Sequence, residues 1–118
     1  MHFFLSNFHE MDLGLPDVTK FTAQLAMMHR KSKSPTGKFG FHVTTYNGNL
    51  PQVNQWTDTW EELFTINFRH FLEMEQQMQG PATEELTGLS NAMLERVIPR
   101  LLRPLETEGR HIEPSLVQ

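Results

Sequence analysis

At 118 residues with 38% apolar content, the chain is the size of one ordinary domain, and a single core is the most it can hold. Ten basic residues against fourteen acidic ones leave a net charge of −4, opposite in sign to the basic footprint that phosphate-backbone binding requires, so nucleic acid is not an expected partner. The absence of cysteine excludes disulfides, thiolate nucleophiles and Cys-based metal sites and suits a reducing compartment, and no apolar run approaches the roughly 20 residues of a membrane span.

Met1-His2 lacks the charged and long apolar regions of a signal peptide, so a cytoplasmic protein is expected, with no membrane partner. Phe3-Phe4-Leu5 is short, apolar and compatible with a buried strand. Ser6 to Gly14 is of mixed polarity and reads as a linker, so residues 1–14 form a strand stub and its connection. From Leu15-Pro16-Asp17 the pattern becomes helical, with Val18, Phe21, Leu25 and Met28 recurring on one face. Pro16 suits a first turn, Asp17 suits the positive end, and His29-Arg30-Lys31 complement the negative end, which predicts a helix over about 16–31. Ser34-Pro35-Thr36-Gly37 breaks it.

Residues 32–56 have no helical period, yet they hold Phe39, Phe41, Val43, Tyr46, Leu50, Val53 and Trp56, so the segment reads as a long packed loop. Phe39, Phe41 and Val43 alternate, and Asn47-Gly48 is a favoured turn pair, which is compatible with a short β-hairpin. Thr57 or Asp58 as N-cap, with Glu61 or Glu62 in the first turn, starts a second helix. Trp60, Leu63, Phe64, Phe68, Phe71, Leu72 and Met78 hold its apolar face until Gly80-Pro81. A third helical stretch starts near Pro81 and aligns Leu86, Leu89, Met93, Val97 and Leu101. Pro99 should kink or split it, because proline removes the bond to Glu95 and crowds that carbonyl. Pro104 ends it, and Ser115-Leu116-Val117-Gln118 resembles the start of a strand. The class is mainly α, in a single domain over 1–118 whose long packed loop lies between helices.

The candidate chemistry is sparse. His2, His9, His29, His42, His70 and His111 form no His-x-x-x-His pair, and His70 with Glu73 has the reverse order of a di-metal half-site and no second copy, so no metal ligand is assigned. Ser34-Pro35-Thr36-Gly37-Lys38 matches only the end of a phosphate-binding loop, with Phe39 where a magnesium-binding hydroxyl should stand. There is no Gly-x-Ser-x-Gly elbow. Met27-Met28 and the aromatic stripe of the second helix are read as core. Asn54, Trp56 and Trp60 bring two indoles and an amide to a loop-to-helix junction, where a recognition surface and ordinary capping and packing explain them about equally.

Three stretches carry a resemblance. They are Ser34-Pro35-Thr36-Gly37-Lys38-Phe39-Gly40-Phe41-His42-Val43, then Asn47-Gly48-Asn49-Leu50-Pro51-Gln52 with Asn54-Gln55-Trp56-Thr57-Asp58-Thr59-Trp60-Glu61, and Val97-Ile98-Pro99-Arg100-Leu101-Leu102-Arg103-Pro104-Leu105-Glu106. Together they closely resemble the fructosamine kinase family, especially its fungal protein-ribulosamine 3-kinase members. The resemblance implies a protein-kinase-like fold and ATP- and magnesium-dependent phosphorylation of the 3-hydroxyl of ketoamines on protein lysines, which leads to deglycation. It makes Phe3-Phe4-Leu5 the last strand of the N-lobe. Ser6, Asn7 and His9 become hinge-like residues whose backbone meets adenine, and Asn7 departs from the acidic residue expected there. Asn54, Trp56 and Trp60 fall in a substrate-side loop, and the rest becomes the opening helices of the C-lobe.

In such a kinase the nucleotide-binding lysine and glycine-rich loop precede the hinge, and a His-Gly-Asp-Leu-Trp catalytic run follows the Pro-Ser-Leu-Val segment. The resemblance therefore implies a middle fragment with no catalytic residue and no magnesium ligand of its own, inactive alone and binding no cofactor. Two readings stand. One is such a fragment, whose uncovered Phe3, Phe4, Phe8, Leu116 and Val117 favour self-association. The other is a non-catalytic helical module that binds a partner protein.

Overall fold

The computed structural model describes residues 3–11 and 13–115. Helix α1 spans Val18–Lys31, and the side chain of its N-cap, Asp17, accepts a hydrogen bond from the Lys20 N–H at 2.8 Å. Pro16 thus lies outside the helix, one residue before the cap. A two-residue hairpin follows, β1 (Tyr46–Asn47) against β2 (Leu50–Pro51), with Tyr46 opposite Pro51 and Asn47 opposite Leu50. Gly48 takes the first position of the connecting turn with φ of 64°, a left-handed angle that costs glycine nothing. The alternating Phe39, Phe41 and Val43 do not enter the hairpin; Phe39 pairs with Thr57 instead.

Helix α2 spans Trp60–Gln79, and its N-cap is Thr59, whose hydroxyl accepts from the Glu62 N–H. Thr57 does not cap because it is already committed to the bridge with Phe39 and is buried, at 3% exposure. Helix α3 spans Glu84–Ala92 and starts three residues after Pro81, where Thr83 caps the Leu86 N–H. The helical path then changes register. Met93–Val97 form a π-turn, in which the Ile98 N–H reaches the Met93 carbonyl five residues back, before α4 (Ile98–Leu102) and a 3₁₀ turn at Arg103–Leu105. Pro99 therefore splits the third helix as expected, by an inserted residue just ahead of the position where its missing N–H would have broken the ladder.

Phe3-Phe4-Leu5 forms no strand and is not buried; Phe3, Phe4 and Phe8 are 82%, 89% and 93% exposed. An isolated strand leaves its backbone groups unpaired, and no described segment offers it a partner edge. At the other end Ser115 does pair, antiparallel with Lys33, and the Ser34 N–H donates to the Pro114 carbonyl. Leu116, Val117 and Gln118 lie outside the described residues, as do Met1, His2 and Asp12.

The apolar centre is small. Among the described residues only Ile98 on α4 and Leu63 on α2 are buried apolar side chains, at 2% and 9% exposure, and α2 packs on α4. The aromatic stripe of α2 is mostly half-buried, and Val18, Phe21 and Leu89 on the helices α1 and α3 are exposed. The radius of gyration is 18.5 Å, against about 13–14 Å for a compact domain of this length. The accessible surface of 10260 Å² likewise exceeds the roughly 6,600 Å² typical of a folded monomer of this mass. No helix among the described residues is long and apolar enough to cross a membrane.

Candidate functional site

One polar feature is the loop from Phe39 to Thr57, and three sets of hydrogen bonds hold its shape. At its base Phe39 and Thr57 exchange both backbone bonds, at 3.0 and 2.8 Å, and the Phe41 N–H reaches the Asn54 carbonyl at 3.0 Å. Between these bonds Gly40 on one side faces Gln55 and Trp56 on the other, the two-against-one count of a β-bulge, and the 54–56 backbone lies close against Gly40. Lys38 and Asp58 close the neck with a 2.8 Å ion pair, and Asp58 holds the Lys38 ammonium above its ordinary pKa.

Inside the loop the Asn54 amide donates to the Val43 carbonyl and to Thr45 Oγ1, both at 2.8 Å. Thr45 Oγ1 in turn donates to Gln52 Oε1 at 2.7 Å. A third set comes from α2. The Asn67 side chain accepts from the Val53 N–H at 3.0 Å and donates to the Val53 carbonyl at 2.8 Å, and His70 Nε2 donates to the Pro51 carbonyl at 3.0 Å. One helix thereby grips two loop residues, Pro51 and Val53, through their backbone, so the grip depends little on their side chains.

Of the residues expected on a substrate side, Asn54 is thus engaged within the loop. Trp60 packs at the base, with its ring 6.0 Å from both Phe39 and Phe64. Trp56 is half-buried beside it in sequence. Ser6, Asn7 and His9 lie exposed in the N-terminal segment with no hydrogen-bond partner among the described residues. No hydrogen bond, ion pair or ring contact joins them to the loop. Sequence reasoning does not single out Asn67 or Gly40, and it weighs His70 only as a metal ligand beside Glu73. Asn67 left a readable trace, since it interrupts the apolar stripe of α2 one turn after Leu63 and one turn before Phe71, where an amide needs a partner.

The start of α2 is locked from the opposite side. Glu106 Oε2 accepts from the Trp60 N–H at 3.0 Å, and Arg103 grips Glu61 with two bonds of 3.0 and 2.7 Å. The Arg103 hydrogen bonds hold the Glu61 carboxyl below its ordinary pKa, although partial burial pushes it up. A carboxyl whose folded-state pKa is depressed contributes stability above its unfolded value, near 4.3, and loses it as pH falls through the folded value. We therefore expect Glu61→Gln to lower stability at pH 7 and to flatten the acid limb below about pH 4.3, read by urea midpoints across pH. An unchanged limb would mean that the pair contributes nothing.

The comparisons bear on what this scaffold is for. The family model described as fructosamine kinase matches residues 1–118. The chain belongs to the fructosamine kinase family. Among the similar curated proteins are the "Protein-ribulosamine 3-kinase, chloroplastic" of Oryza sativa subsp. indica and that of subsp. japonica. Each is 29% identical over 116 residues, which is 98% of this chain and 31% of the relative. The chain thus spans about a third of the length of the curated relatives it matches. No solved structure gives a significant match.

Proposed function

We propose that this chain is the hinge and first C-lobe helices of a protein-kinase-like ketosamine 3-kinase, working on ketoamine adducts of protein lysines in the cytoplasm. The observation that carries the reading is the alignment of nearly the whole chain with a continuous third of a protein-ribulosamine 3-kinase. The fungal type of the family is the one its motifs resemble most. Open shape and exposed apolar surface support the reading, since the lobes of a larger kinase would cover Phe3, Phe4 and Phe8 and the bare face of α1.

The cofactors divide differently over these residues. Ser6, Asn7 and His9 sit outside helix and strand with unengaged N–H and C=O groups, which fits an adenine edge read by a hinge. ATP would supply the transferred phosphoryl group. Magnesium is assigned to none of these residues, and among the described residues no three His, Asp or Glu side chains converge. In the proposed kinase its ligands and the general base lie outside this stretch, and these residues contribute binding and positioning only.

Two results are expected. The 118-residue polypeptide alone gives no ATP-dependent phosphorylation of ribulosyl-lysine or fructosyl-lysine, while a longer product carrying the catalytic run does. Turnover by the short polypeptide above a matched blank would overturn its assignment as non-catalytic, and inactivity of the longer product would overturn the kinase reading. The short polypeptide also self-associates at micromolar concentration by light scattering, through the uncovered phenylalanines. A monodisperse monomer would remove that support.

A further inference from the structure

The loop that α2 grips has a property that neither packing nor the kinase frame requires. In a chain that is 20% charged, residues 39–57 contain no Asp, Glu, Lys or Arg, and the charges resume at once with Lys38 and Asp58 on either side of the neck. Apart from the imidazole of His42, a phosphate, carboxylate or ammonium ligand would find no counter-charge on this loop. A neutral ligand rich in hydroxyl groups needs none.

Two groups stand out among the polar side chains of the loop. Asn54, Gln52 and Thr45 are engaged with one another or with loop backbone. Tyr46, Asn47, Asn49 and Gln55 are exposed, and their side chains have no partner among the described residues. Each free amide offers two donors and a carbonyl acceptor, which suits adjacent sugar hydroxyls that both give and take hydrogen bonds. The Tyr46 ring, 63% exposed, offers an apolar face with a polar tip, and such a face accepts the C–H side of a sugar. The loop is also ordered in advance by the Phe39–Thr57 bridge and the Asn67 clamp, so little conformational freedom remains to be lost when a ligand arrives.

We infer that the exposed face of this loop, formed by Tyr46, Asn47, Asn49 and Gln55, binds the uncharged sugar portion of the ketoamine. The inference rests on the kinase reading and, within the substrate-side loop of Asn54, Trp56 and Trp60, gives the sugar to the residues that the scaffold leaves free.

The test pairs kinetics of the full-length kinase with amide chemical shifts of the loop, using ribulosyl-lysine blocked at its α-amine and the same blocked lysine without sugar. Tyr46→Ala with Asn49→Ala is expected to raise KM for the ketoamine about tenfold, leaving KM for ATP, kcat within twofold, and thermal unfolding unchanged. Shifts at residues 44–55 are expected with the ketoamine and absent with plain lysine. Equal shifts with plain lysine would mean that the loop reads peptide, and would overturn the inference. Unchanged KM for the ketoamine in an active variant would overturn it and leave the kinase reading intact. Ketoamine-specific loop shifts without any phosphorylation would sink the kinase reading while the sugar site stood.

Discussion

Replacing Gly40 by alanine is expected to cost the 39–57 loop about 2–5 kcal/mol and to release its base, because strain and steric overlap act together. A Cβ at this position would stand 2.8 Å from the Gln55 carbonyl oxygen, 3.0 Å from the Asn54 carbonyl oxygen and 3.0 Å from the Trp56 Cα. All three are backbone atoms, so no side chain can swing aside. The φ of 143° adds a penalty of its own, since residues with a Cβ avoid that region. Gly37→Ala is the control. Its φ of 69° is also left-handed, but nothing lies within 4 Å of the added atom, so only the backbone cost of about 1–2 kcal/mol should appear. Hydrogen exchange at the Phe39 and Thr57 amides reads the difference, because those two bonds hold the base. Exchange that rises no more in Gly40→Ala than in Gly37→Ala would mean that the two backbones do not approach as closely as the structure places them.

Ile98→Ala is the second large effect, expected at about 2–4 kcal/mol, with Ile98→Val at about 0.5–1.5. Ile98 is the most buried apolar side chain described, at 2% exposure, and it sits where the π-turn hands over to α4. Its loss leaves a cavity at the packing of α4 on α2 with few neighbouring apolar groups to collapse into it. In so small an apolar centre a change of that size removes most of the cooperative transition of the isolated polypeptide, which urea unfolding followed by far-ultraviolet circular dichroism would show. A midpoint within 0.5 kcal/mol of the parent would place the stabilising contacts elsewhere.

How much was legible in the sequence differs from one element to the next. Helix α1, the second helix and its stop at Gly80, and the split at Pro99 were all read from period, caps and proline chemistry, which act within a few residues. The cap of α2 was placed one or two residues early because Thr57, Asp58 and Thr59 are chemically equivalent as caps. Only the pairing of Thr57 with Phe39, eighteen residues away, removes it from the choice. The hairpin followed a similar course. Asn47-Gly48 correctly marked a turn, but the alternating Phe39, Phe41 and Val43 went to a different partner, because alternation states which face a residue presents and not which segment it meets.

The loop's support was not visible locally. Asn67 and His70 hold Val53 and Pro51 through backbone atoms, and backbone partners leave no signature in the identity of the residues held. Composition, charge, helical periods and family membership are properties of the chain itself, and the sequence determined them. Tertiary structure alone decided which amides are engaged and which remain free, why Gly40 must lack a side chain, and that Phe3-Phe4-Leu5 finds no strand to pair with. Each of those depends on contacts between residues far apart in sequence, and such contacts exist only once the chain has closed on itself.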